Sequence, residues 1–220
     1  LRTEEDDALC EIAEYVESEV DLQARFMKLT VDDLADTEMF PCVNEIILVK
    51  LMRDVEKNIV DPANIRRMVE KRRTCAWFGK VRNFYDGLHQ VAQMQEFYKL
   101  HADGFHTVAP RAIWTEYTES YYRFDAYYRA FHKSYDASLK AYPVGLSDLF
   151  ASVKDFVEGM YINWFLEEMG ENWSNAVADP LREHGRIFDV PQQTDFYRDK
   201  VRSSDARVYV IISDAMRIPF

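Results

Sequence analysis

The stretch IWTEYTESYYRFDAYYRAFHKSYDASL, residues 113–139, decides the fold class. Its large residues Ile113, Tyr117, Tyr121, Phe124, Tyr128, Phe131, Tyr135 and Leu139 recur at steps of three and four, the spacing that lines one face of an α-helix. A helix from about Pro110 to Lys140 would span roughly 45 Å and form the spine of a helical region. The tyrosines can be drawn as a platform for stacking bases, but at helical spacing between Phe and Leu the plainer reading is core.

Upstream the same period continues. Leu9, Ile12, Ala13, Val16 and Val20 form one apolar stripe on an anionic helix, which is expected to pack by that stripe alone. Thr30 introduces a short helical turn from Val31 to Thr37. Pro41 sits where a first-turn proline is harmless, and Val43, Ile47, Leu51, Val55 and Ile59 repeat behind it. Asp61-Pro62 is a helix start, because the carboxylate accepts from free first-turn amides. After a bend between Thr74 and Gly79, the residues Trp77, Val81, Phe84, Leu88, Val91 and Tyr98 trace another helix face, ended by Gly104. Downstream of the spine, Tyr142, Pro143 and Gly145 break the chain and Ser147 caps a helix whose core face is Leu149, Val153, Phe156, Met160 and Trp164, with Gly170 as its stop. Asp179-Pro180, His184-Gly185 and Asp189-Val190-Pro191 then punctuate a looser region. Gln192 to Val201 reads as a short helix.

The chain closes on Val208-Tyr209-Val210-Ile211-Ile212, five β-branched or aromatic residues without alternation, which predicts a strand buried on both faces. No partner strand is legible upstream, so the polypeptide reads as the front part of something longer. Asp214, two residues past the strand, is placed equally well to cap a following helix or to ligate a divalent metal at the end of a sheet.

Composition narrows the classes. With 27 basic and 38 acidic residues the net charge is −11, which disfavours a general coating of nucleic acid. Seven Gly and seven Pro suit a helical fold. Between Asn64 and Arg82, Arg66, Arg67, Lys71, Arg72, Arg73, Lys80 and Arg82 face Glu70 alone. The plain reading is a solvated helix face; the sharper one is contact with an acidic partner or DNA. Three dispersed cysteines, Cys10, Cys42 and Cys75, point to a reducing compartment, the cytoplasm. No apolar run approaches a membrane span, and no secretory leader is expected. His89, His101, His106, His132 and His184 fall into no ligand spacing, and neither HExxH nor a glycine-rich phosphate loop occurs.

Val208 to Arg217 resembles the opening strand of the PglZ family, the alkaline-phosphatase-like proteins of bacterial phage-exclusion (BREX) systems. Tyr121 to Phe131, Met160 to Leu166 and Phe196-Tyr197 resemble the helical region ahead of that domain. The resemblance implies that Asp214 is the first metal ligand of a phosphatase-type site. The parent protein would be a metal-dependent hydrolase using a divalent ion, zinc in the first place, with none held firmly by these residues alone. The defence system's other proteins would be its partners. After Arg217 the sequence departs from the family, reading Ile218-Pro219-Phe220 where a helix is usual. The expectation is therefore a mainly α, bundle-like region over residues 1–189, a connector over 190–206, and from 207 to 220 the first strand of a truncated α/β phosphatase-like domain, inactive by itself. The alternative is a self-contained helical interaction module whose last strand pairs with a partner's sheet edge.

Overall fold

The computed structural model describes residues 4–140 and 144–210. Among them the chain is mainly helical and contains no strand: α1 (Glu4–Glu19), α2 (Leu22–Phe26), α3 (Val31–Leu34), α4 (Pro41–Glu56), α5 (Pro62–Arg72), α6 (Phe78–Leu100), α7 (Pro110–Glu116), α8 (Tyr122–Ser138), α9 (Val144–Met160) and α10 (Glu167–His184). π-helical turns follow α7 at Tyr117–Tyr121 and α9 at Tyr161–Leu166, and 3-10 and π turns cover Gln193–Asp195 and Tyr197–Arg202. No described helix is long and apolar enough to cross a membrane. Cys10, Cys42 and Cys75 form no disulfide with one another.

The residues group into two compact units, Leu1–Gly104 with Arg123–Glu167, and Phe105–Tyr122 with Glu168–Phe220. In the first, α4 packs on α9 and α6, and α5 on α6. The α4 residues Val43, Ile47, Leu51 and Val55 are all buried, as their spacing predicts, whereas Ile59 lies past the helix end and is exposed. Phe124 and Phe131 of α8 are fully buried, so the aromatic stripe serves as core there.

Local signals explain the helix starts. Thr30 and Asp33 close a reciprocal capping box on α3. Asp61 Oδ1 accepts from Ala63 N at 3.0 Å and Asn64 N at 3.1 Å at the head of α5. Asp61→Ala is expected to cost about 1 kcal/mol, since two first-turn amides lose their acceptor. An unchanged urea midpoint would refute this.

Four expectations need correction. The helix from Pro110 to Lys140 is divided by the π turn at Tyr117–Tyr121, and its two ends fall in different units. On α9, Ser147 lies inside the helix, and the buried residues are Leu146, Phe150, Val153 and Val157. The buried face lies about one residue from the expected one, and on it the Phe150 ring enters the hollow that Gly87 leaves on α6. Gly170 and Pro180 both lie within α10. There Met169, Trp173 and Val177 repeat every fourth residue, and that stripe outweighs a glycine costing ~1 kcal/mol; the proline falls only one turn before the end. Finally, Leu9, Ile12 and Val16 of α1, and Val20 just past its end, are exposed. The helix meets its unit through Ala13 and through charged residues instead.

The second unit is tied by side chains to main chain. Asn172 Nδ2 donates to the Phe105 and Thr107 carbonyls, both at 2.9 Å, and Arg111 donates to the Asp189 carbonyl at 2.8 Å. Ile113, Trp114, Tyr117, Met169 and Trp173 line an apolar cavity of about 180 Å³.

Candidate functional site

A polar concavity of the first unit lies between α1 and the head of α4. It measures about 230 Å³ and is lined by Glu14, Glu17, Pro41, Asn44, Glu45, Trp77, Lys80 and Val81. Helix α4 begins at Pro41 after Phe40, which offers no side-chain cap. The free amide of Cys42 instead donates to Glu17 Oε2 of α1 at 3.0 Å, so a distant carboxylate completes the helix start. Lys80 Nζ stands 2.8 Å from Glu14 Oε1 and 4.9 Å over the Trp77 ring.

Asn44 connects the cavity to the core. Its Oδ1 accepts from Arg72 Nε at 2.8 Å and from the Tyr85 hydroxyl at 3.1 Å, and all three side chains are buried. Arg72 also donates from Nη1 to the Thr37 carbonyl at 2.7 Å and, at 3.4 Å, to that of Ala35. Trp77 Nε1 donates to the Met39 carbonyl at 3.0 Å, so the segment between α3 and α4 is held by two buried side chains. Burial pushes the Tyr85 hydroxyl well above its usual range. Burial, then the Glu17 carboxylate, does the same to the Cys42 thiol, which is therefore no nucleophile at neutral pH. The arrangement suits recognition of a cation rather than covalent chemistry.

Glu45 is half-buried, and burial, then the nearby Glu17, raises its carboxyl above the usual 4.5. An acid with a raised folded pKa binds its proton more tightly when folded, so its contribution is fully present below pH 4.5 and is lost as pH rises through the raised value. Glu45→Gln is expected to increase stability at pH 7 and to flatten the decline above pH 4.5, measured by urea denaturation at several pH values. A variant less stable than the parent at pH 7 would refute this.

Other residues singled out from sequence are scattered. Asp214, with Ile211 and Ile212, lies outside the described residues. Val208, Tyr209 and Val210 are exposed and have no ladder. In the basic segment, Arg66 pairs with Glu96, Arg67 with Asp32, Lys71 Nζ with Asp36 at 2.6 Å and Arg73 with Glu70 at 3.2 Å, while Arg72 turns inward. His132 Nε2 is 3.1 Å from Glu158 Oε1, though out of line for a hydrogen bond, and the Tyr128 hydroxyl donates to the other oxygen of Glu158 at 3.0 Å. Burial, then Glu116, pushes Tyr121 up to about 12. No group of three or more His, Cys, Asp or Glu among the described residues could hold a metal ion. The described residues therefore do not by themselves fit the divalent ion that the resemblance implies.

Sequence reasoning missed the cavity because Glu17 and Glu45 are far apart in the chain. One signal was present: Asn44 falls four before Leu48 and seven before Leu51, on the apolar face of α4.

Two curated proteins are similar to this chain. The alkaline phosphatase-like protein PglZ of Bacillus cereus (strain H3081.97) is 27% identical over 211 residues, 94% of this chain and 24% of that protein. The alkaline phosphatase-like protein BrxZ of Escherichia coli O9:H4 (strain HS) is 29% identical over 196 residues, 84% of this chain and 22% of that protein. The chain thus spans about a quarter of the length of these curated relatives. No family model matches it, and no solved structure does.

Proposed function

We propose that this chain, a relative of the PglZ family of alkaline phosphatase-like proteins, is the helical module ahead of a metal-dependent phosphatase-like domain in a cytoplasmic phage-defence protein. Its own work is positioning and partner contact. The observation that carries the reading is the likeness to PglZ over 94% of this chain and only 24% of that protein, in residues that are mainly helical among those described.

Two surface features support it. The exposed stripe of Leu9, Ile12 and Val16 on α1, continued by Val20 just past its end, is an apolar face of the kind that partner proteins cover. The exposed segment Val208 to Val210 leads into Ile211 and Ile212, and in this reading it is the start of the first strand of the phosphatase-like sheet. Asp214 then contributes one ligand to a divalent metal site completed by that domain.

The test is hydrolysis of p-nitrophenyl phosphate with added zinc, magnesium or manganese, by the 220-residue chain and by a protein carrying it together with the phosphatase-like domain. The longer protein is expected to turn over and to lose activity on Asp214→Ala, while the 220 residues stay at background. Turnover by the 220 residues, or an active Asp214→Ala variant, would overturn the reading. The same exposed segment favours a second reading, in which the last strand adds to the sheet edge of another protein; a longer protein that never hydrolyses phosphate esters would turn the choice that way.

A further inference from the structure

We propose that the cavity between α1, the head of α4 and the start of α6 binds an ammonium group together with a neutral carbonyl beside it, as in an amino-acid amide or the first residue of a polypeptide. Two of the residues that line that cavity have side-chain atoms without a hydrogen-bond partner among the described residues. The first is a donor without an acceptor. Asn44 is 1% exposed, its oxygen is held by Arg72 and Tyr85, and Nδ2, on the other side of the planar amide, has no partner among the described residues. Buried donors are rarely left so.

The second is a carboxylate without a donor. Glu45 lines the same cavity beside Glu17; the Glu17 carboxylate already accepts from Cys42 N, and Lys80, engaged with Glu14, acts on Glu45 only through space. An ammonium answers Glu45 and Glu17, and a neutral carbonyl answers Asn44. The Lys80 Nζ at 4.9 Å over Trp77 marks an aromatic wall that already accepts a cation.

Other ligand classes fit worse. A metal ion finds no set of three ligands among the described residues and would meet an N–H at Asn44. An anion, including the carboxylate of a free amino acid, would face Glu14, Glu17 and Glu45. A cavity of about 230 Å³ takes a group of a few heavy atoms.

Calorimetric titration of the 220-residue chain with glycinamide tests this. Single-site binding is expected, with N-acetylglycinamide, which lacks the cation, and ethylammonium, which lacks the acceptor, each about tenfold weaker or more. Glu45→Gln removes a half-buried charge beside Glu17, so its fold is kept, and it is expected to weaken glycinamide about tenfold. Asn44→Asp preserves the oxygen that Arg72 and Tyr85 use and is expected to abolish the preference for glycinamide over ethylammonium. Gly-Ala-Ala-amide separates the two sources: tighter binding than glycinamide assigns a polypeptide N-terminus, and weaker binding assigns a small amide. No saturable glycinamide binding, equal binding of the acetylated compound, or an unchanged affinity in Glu45→Gln overturns the proposal.

Discussion

Arg72→Ala is expected to lower the stability of the first unit by about 3–5 kcal/mol, read as a fall in the urea midpoint. The guanidinium is fully buried and no carboxylate among the described residues hydrogen-bonds to it. Its acceptors are Asn44 Oδ1 at 2.8 Å and the carbonyls of Thr37 at 2.7 Å and Ala35 at 3.4 Å. Removing it leaves Asn44 Oδ1 to Tyr85 alone and takes the donor from the Thr37 and Ala35 carbonyls, which costs more than the bonds contributed. It also frees the segment between α3 and α4, leaving Trp77 and the Met39 carbonyl as its remaining described clamp. Arg72→Met keeps the packing of the aliphatic stem but takes the same donors from these acceptors, so it is expected to cost nearly as much. Arg72→Lys should fall between, because one ammonium cannot reproduce the fork that reaches α4 and the preceding segment together. A loss under about 1 kcal/mol for Arg72→Ala would show that water enters and takes over the acceptors.

Arg72 also shows how far the sequence could be read. The residue stands in a run of cations that reads as a solvated face, and Arg66, Arg67, Lys71 and Arg73 are indeed paired near the surface. Yet Ile65, Met68, Val69 and Arg72 are spaced by three, one and three, which puts the arginine on the buried face of α5. Periodicity thus carried the information, while charge counting concealed it. Helices with one deep apolar face, such as α4, and starts marked by Asp61-Pro62 or Thr30 were legible because local geometry determines them. The packing of α1 was not, since its stripe shows amphipathicity without showing which surface is available. The contacts it makes, Glu17 to Cys42 N and Glu14 to Lys80, join residues 25 and 66 positions apart. The candidate cavity is built from those same long-range contacts, so its carboxylates had no spacing to betray them. The metal-ligand reading of Asp214 rested on resemblance and on its place after a strand, and that stretch lies outside the described residues.

The face of α9 is the other place where a contact across helices overrides local pattern, and it leads to the second large effect. Phe150 is fully buried, with ring centroids at 5.1 Å from Phe84, 5.4 Å from Phe131 and 5.6 Å from Tyr135. Its Cζ would lie 2.4 Å from a Cβ built on Gly87, closer than real side chains approach. Phe150→Ala is therefore expected to cost about 3–5 kcal/mol, the transfer term plus an unfilled cavity. Gly87→Ala works in the opposite sense: alanine favours the helix by ~1 kcal/mol, but the ring cannot yield among three aromatic neighbours, so a net loss of roughly 1–2 kcal/mol is expected. The two changes must then be non-additive. In the Phe150→Ala background the clash is gone and the methyl enters the vacated space, so Gly87→Ala should become neutral or stabilising, a coupling of about 1–3 kcal/mol in the double-mutant cycle. Additive losses would mean that α9 shifts along α6 when Gly87 is replaced, and that the glycine hollow is not what sets which face of α9 is buried.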